Sequence, residues 1–393
     1  MQRKRRLCLA GAAGLAAAAW PAAAAQVGAP TADTARTLRI GVSAELTGAG
    51  ALYGAGILSG AQMAADEINA AGGVAGHRLQ LEVSDGGSNP ARAAMGMRRL
   101  ALRDIDLVVG GWGSSQVMAA LEMSEQVGMP FVVTGATHPS ITAARNRWTF
   151  RVVHNDRDVV QVLADTALNR MQRRRLAVVC DSSAYGVGSH DAMLGRLSAL
   201  KRPPVLSRML GMGAASAAES VDALVRQLAD QQAEVLFLFA TVGPAVPLLK
   251  AIRRAGLRLQ VLGGGGLYHP QALEDVAEAA EGLVLAGLFH AALDAASADW
   301  ARRYRAHPHA TARPTPLPGL AAWTYRALRL IVAPSLDAST LRDREALRER
   351  LSTWEGEVFG VPGRTGFDDE RQLRQPVRLL QVRGGRLHPW GAP

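Results

Sequence analysis

Backbone N–H groups and hydroxyls at the start of a helix bind anions, and Gly110-Gly-Trp-Gly-Ser-Ser115 is placed to offer both. The stretch follows the apolar run Leu107, Val108, Val109 and leads into an amphipathic segment from Gln116. Glycines let the backbone approach a ligand closely, and the first turn of a helix has N–H groups without intrahelical partners. Ser114 and Ser115 add hydroxyl donors. A second stretch, Pro130 to Pro139, repeats the design: an apolar run ends at Gly135, Ala136 and Thr137 before another helix start. Together they form a cup for a carboxylate or similar anion. If the runs are neighbouring parallel strands, the cup lies beyond their carboxyl ends, where open α/β sheets bind ligands. The weaker alternative is that Ser114, Ser115 and Thr137 only cap helices.

The surrounding pattern supplies such strands. Apolar runs at 38–43, 79–84, 107–110 and 130–134 alternate with helical periods at 52–70, 91–103 and 116–127. The scheme then repeats, with strands at 176–181, near 205, 235–240, 259–263 and 283–286, and helices at 189–200, 220–230, 245–255 and 270–279. Strands separated by helices predict an α/β fold with two lobes, each a parallel sheet covered on both faces. Helical stretches at 300–306, 319–333 and 341–352 follow, then a closing β pair at 377–382 and 386–390.

The chain opens Met1-Gln-Arg-Lys-Arg-Arg6, continues with an Ala- and Leu-rich run to Ala19 and reaches Ala23-Ala-Ala25 before Gln26. A charged start, a short apolar middle and small residues at the cut predict an export signal over 1–25, with a polar leader over 26–36. Arg5-Arg6 fits a twin-arginine signal loosely, and general secretion is the better expectation. The expected product is exported to the periplasm, free of a lipid anchor and of stable membrane insertion, because Cys8 precedes the apolar run and no later segment suits a membrane helix. Of the formal net charge of +10, the signal alone supplies four through Arg3, Lys4, Arg5 and Arg6. The remaining excess is scattered, without the basic face and interleaved aromatics that nucleic acid requires, so no nucleic-acid partner is expected. After cleavage Cys180 is the sole cysteine, which leaves no disulfide to form. Nine scattered histidines show no metal-like spacing, and neither metal nor cofactor is expected. His138 and His190 read as surface or capping residues.

From Leu38 nearly to its end the chain resembles the periplasmic substrate-binding proteins of ABC transporters in the branched-chain amino acid (Leu/Ile/Val-binding) family. The resemblance rests on Leu46-Thr-Gly48, on Gly60-Ala-Gln-Met-Ala-Ala-Asp-Glu-Ile-Asn-Ala-Ala-Gly-Gly-Val-Ala-Gly76, and on Asp85 with Asn89-Pro90. Gly110 to Ser115, Thr134 to Pro139, Asp181 with Tyr185-Gly-Val-Gly188, Arg253-Arg-Ala-Gly256 and Gly366-Phe-Asp-Asp369 continue in the family's order. It implies two Rossmann-like lobes joined by three crossing segments, with lobe 1 formed by 37–152 and 283–357 and lobe 2 by 153–282 and 358–393. It also implies a monomer that closes around a small-molecule ligand and presents it to an inner-membrane ABC permease, without catalysis. The resemblance gives Ser114, Gly135 and Thr137 to the ligand carboxylate. The full expected site adds Gly113, Ser115 and Ala136 from the same loops, the loop aromatics Tyr53, Trp112 and Tyr185 as walls, and Gly265.

Departures from the family carry information as well. Amino acid binders often place an acid after the strand at 259–263 to pair the ligand ammonium, where this chain has Gly264-Gly-Gly-Leu-Tyr268. The aromatic expected after 235–240 is also absent, and Thr241-Val-Gly243 stands there. A buried ammonium without a carboxylate is costly, so the ligand is expected to be an aromatic or branched acid rather than an ordinary amino acid, unless Glu45 or Asp181 substitutes. The cysteine pair of some relatives is replaced by Gly87 and Gly113. Two other classes remain in competition: a periplasmic sensor that signals to a membrane partner, and an exported nucleotide-dependent enzyme. The second is poorly supported, since Gly48 to Gly54 lacks the dinucleotide glycine spacing.

Overall fold

The computed structural model describes residues 37–143, 146–210, 214–287, 289–310 and 318–391. The expected export signal and leader lie outside the described residues. The first sheet contains β1 (Leu38–Ala44), β2 (Leu79–Asp85), β3 (Leu107–Gly110), β4 (Phe131–Val133) and β5 (Thr149–Arg151). All pairs are parallel, in the order β2-β1-β3-β4-β5. β3 and β4 are buried at every position, which is why they read as unbroken apolar runs and not as alternating ones.

The second sheet repeats that order. β6 (Leu176–Cys180), β7 (Leu206–Met209), β8 (Val235–Phe239), β9 (Gln260–Gly263) and β10 (Val284–Gly287) run as β7-β6-β8-β9-β10, all parallel. Two small strands, β11 (Glu355–Glu357) and β12 (Arg364–Gly366), form a separate antiparallel ribbon. The closing pair, β13 (Arg378–Arg383) and β14 (Arg386–Pro389), extends the second sheet antiparallel beyond β10. Each sheet therefore has one switch point where strand order reverses, between β1 and β3 and between β6 and β8.

Three expectations need correction. Leu283 is not where the chain returns to the first lobe, because β10 pairs with β9 and β13 and the return falls after Gly287. The third crossing is later than Val358: Gln372 bridges Arg151, Phe367 meets Phe150 edge-on, and only β13 rejoins the second sheet. The helix expected from Ser189 runs over Ala184–Ala199, since Ser183 caps it by accepting the Gly186 N–H and the intervening glycines are helical.

The remaining helices bind these sheets into place. Ala51–Ala70 packs closely on Gly319–Arg326, where a Cβ on Gly60 would stand 2.2 Å from the Ala321 carbonyl oxygen. Beside the first crossing, Asn155 caps Asp156–Asp165 through the Arg157 N–H. Arg151, fully buried at the end of β5, donates to Gln372 Oε1 at 2.5 Å, the His138 carbonyl at 2.7 Å and Thr142 Oγ1 at 3.1 Å. These bonds satisfy a buried guanidinium and fix the loop that carries Thr137.

Candidate functional site

The first wall of the site is built at the β1/β3 switch point. Gly110 and Gly111 turn the chain with φ of +115° and +78°, and a Cβ on Gly110 would lie 2.2 Å from the Ser43 carbonyl oxygen. Only glycine makes this turn. The helix Ser114–Gln126 then begins, with Gly113 as a cap that has no side chain to spend on the first-turn N–H groups. Ser114 is 3 % exposed and its Oγ is buried without a partner. An unpaired buried hydroxyl beside the first turn of a helix is free to donate to an acceptor, and Ser114, which lies inside the helix, does not cap it.

Two buried carboxylates stand behind this wall. Glu45, directly after β1, lies by the N–H groups of Trp112 and Gly113, and its Oε2 has no partner. Burial raises its pKa to about 7 against the lowering effect of those N–H groups. Part of the loop's donor capacity is thus directed at the protein's own carboxylate. Asp156 accepts from Thr137 Oγ1 at 2.9 Å and Ser189 Oγ at 2.8 Å, and burial raises it to about 6. Thr137 therefore gives its hydroxyl hydrogen to Asp156 and keeps lone pairs for other donors.

The second lobe supplies the opposite wall from its own switch point. Asp181, directly after β6, accepts from the Thr241 N–H at 2.8 Å and Thr241 Oγ1 at 3.2 Å through one oxygen, and from the Ser183 N–H at 3.0 Å and the Ser183 hydroxyl through the other. Its acceptor capacity is largely filled from within its own lobe. The Gly264-Gly-Gly266 turn has a packing reason. Tyr185 OH accepts the Gly266 N–H at 3.1 Å, and a Cβ on Gly264 or Gly266 would come within 2.4 Å of the Tyr185 side chain. The turn without an acid is thus packed against a tyrosine from the helix Ala184–Ala199.

Between the walls is a cavity of about 410 Å³. Trp112, Gly113, Ser114, Ser115, Gly135, Thr137, Tyr185 and Gly265 line it. Tyr53 and Ala136 do not. Ala136 is 1 % exposed and packs into the core beneath the β4 loop, because alternate positions of an extended segment face opposite ways. Tyr53 stacks on Trp112, with centroids 4.1 Å apart, and donates to the Gly266 carbonyl at 3.0 Å. Sequence reasoning passed over Ser88, Gln116, Ser182, Ser183, Thr241 and Pro244, which also line the cavity. The hydroxyls after β6 and β8 carried a usable signal, since their place after the first and third strands of the second sheet matches that of the β1 and β3 loops.

The sequence pattern of a family described as periplasmic binding protein matches residues 37–386. An amino acid binding protein of Pseudomonas aeruginosa is 31% identical over 229 residues, a stretch that spans 58% of this chain and only 60% of that protein. The Leu/Ile/Val-binding protein BraC3 of Rhizobium johnstonii is 26% identical over 352 residues, 89% of this chain and 93% of the relative. A solute binding protein of an ABC transporter from R. palustris, solved in complex with benzoate, has the same fold with a TM-score of 0.78 at 18% identity, over 90% of this chain and 96% of that one.

Proposed function

The chain belongs to the branched-chain amino acid-binding branch of the periplasmic binding protein family, and on that premise we propose that it is the periplasmic receptor of an ABC importer for a small carboxylate-bearing ligand. The observation that carries this reading is the buried, unpartnered Ser114 hydroxyl beside the open first turn of Ser114–Gln126, both at the cavity. The ligand's carboxylate accepts from these donors, Gly135 and Thr137 border it, and Trp112 and Tyr185 flank its body. Closure then presents the loaded protein to a membrane permease. Among the described residues no helix is long and apolar enough to cross a membrane.

The preferred ligand is an aromatic or branched acid without an ammonium. The β9 loop offers no acid, and Asp181 already holds four donors. Benzoate in the R. palustris protein is a ligand of this kind. One feature favours an amino acid instead: Thr137 and Thr241 both give their hydroxyl hydrogens to carboxylates and turn lone pairs toward the cavity, where an ammonium is a suitable donor. A thermal-shift panel followed by calorimetry separates the two. Aryl and branched carboxylates are expected to raise the melting temperature more than leucine-like amino acids or neutral amides of equal size. Selective stabilisation by amino acids would select the second reading, and a response to amides alone would reject both.

A further inference from the structure

The loop that carries Ser114 also serves a carboxylate of the protein itself. The N–H groups of Trp112 and Gly113 face Glu45, and the next residue in the chain is Ser114, with its unpaired hydroxyl. Both side chains are buried, Glu45 at 1 % and Ser114 at 3 % exposed. The start of the helix Ala51–Ala70 and the turn after β2 meet Glu45 with Gly50, Gly54 and Gly86, none of which brings a charge. The charge that acts on it most is a second carboxylate, Asp85 at the end of β2, which Arg92 holds at 3.3 Å. From the other lobe come two more acids, Asp156, bonded to Thr137, and Asp181 with its four donors. Glu45 Oε2 has no partner among the described residues.

We infer that the receptor takes up its ligand carboxylate together with one proton from solvent, which resides on Glu45, so that only one of the two carboxyl groups on this loop is ionised. This rests on the proposed place of the ligand carboxylate at Ser114. Two carboxylates on one buried loop raise each other's proton affinity, and the proton goes to the one with the poorer set of partners. Glu45 is that group: its Oε2 takes the proton while Oε1 keeps the loop N–H groups. Burial already holds Glu45 at about 7, so at neutral pH half of the free molecules carry this proton before a ligand arrives. Binding that consumes a proton weakens as pH rises, and Glu45 thereby sets the pH range in which the receptor works.

Calorimetry counts this proton. Binding of benzoate, an aryl acid, and of leucine, an amino acid, is measured in buffers of different ionisation enthalpy. At about pH 8, where free Glu45 is mostly ionised, the wild type is expected to take up about one proton per ligand bound. Affinity should fall roughly tenfold between about pH 7.5 and 8.5. In Glu45→Gln that fall disappears, and at the upper pH the variant binds about tenfold tighter than wild type. Comparing the two proteins cancels the titration of the ligand itself and of Asp156, which burial raises to about 6. A Glu45 with only a structural role would give parallel pH profiles in the two proteins, which overturns the inference, as does binding without proton uptake. Should Glu45→Gln fail to fold by circular dichroism, the buffer series on the wild type decides alone. Benzoate or leucine binding without a proton leaves the carboxylate reading in place. Failure of both to bind overturns that reading and takes the inference with it.

Discussion

The loops after β3 and β8 occupy the same place in two sheets of the same strand order, yet different groups close them. In both lobes an acid follows the first strand and reaches across the switch point, Glu45 to the N–H groups of Trp112 and Gly113 and Asp181 to that of Thr241. In the second lobe the filling goes further: Asp181 holds four donors, and Tyr53 covers the start of the helix Val242–Arg254. The first lobe leaves Ser114 Oγ and the turn above it open. A repeated fold supplies two helix starts at the same place, and side chains decide which of them keeps an unpaired donor.

The largest test of this contrast is Asp181→Ala. Removing the carboxylate strands two N–H groups and two hydroxyls in a region where Asp181 is 2 % exposed, and should cost at least about 3 kcal/mol in urea unfolding. A cost below about 1 kcal/mol would mean that Asp181 does not organise its wall.

A pH titration of stability probes the two buried carboxylates, Glu45 in the first lobe and Asp156 at the start of the helix after the first crossing. Folded Glu45 titrates at about 7 against 4.5 unfolded, and folded Asp156 at about 6 against 3.8. Between each pair of values the folded chain keeps a proton the unfolded chain has lost. Stability is therefore fullest at the acid end of this window, falls as pH rises, and levels off above pH 7. The loss owed to Glu45 is on the order of 3 kcal/mol, at about 1.4 kcal/mol per pH unit. In Glu45→Gln the slope nearest pH 7 should vanish, and a slope equal to wild type would assign it to other groups.

Ser114→Ala should weaken binding of the best carboxylate by about 2 kcal/mol, seen by calorimetry, while leaving unfolding stability unchanged or slightly raised, because the hydroxyl has no partner to lose. The smallest effect is expected for Thr137→Val, which loses the hydrogen bond to Asp156 and should cost about 1 kcal/mol of stability. Equal stability losses in the two variants would remove the distinction between an open and a committed hydroxyl.

Elements with a strong local signal were readable in advance. β1, β3, β6 and β8 are apolar runs bounded by polar or glycine-rich turns, and the closing pair after residue 377 follows the same logic. β5 was not readable, because Thr149-Phe-Arg151 is short and ends in an arginine that burial would forbid without Gln372 to receive it. The ribbon of β11 and β12 pairs Glu and Arg positions around a loop and has no apolar period. In the site, the loops of the first lobe showed themselves through glycine and serine at strand ends. The commitments of Thr137 to Asp156 and of Tyr53 to Gly266 join residues 19 and 213 positions apart, and no local pattern records them.

The turn at Gly264–Gly266, moulded on Tyr185, restricts which side chains its two ends can accept. An acidic side chain at either end of the turn would collide with Tyr185, so the tyrosine has to be lost first. Losing it unpairs the Gly266 N–H and loosens the residue whose carbonyl accepts from Tyr53. A path from this turn to one with an acid at those positions thus runs through an intermediate weakened in packing and with the Gly266 N–H unpaired. Those two positions and Tyr185 are therefore epistatic: a side chain at either is accommodated only after the tyrosine is gone.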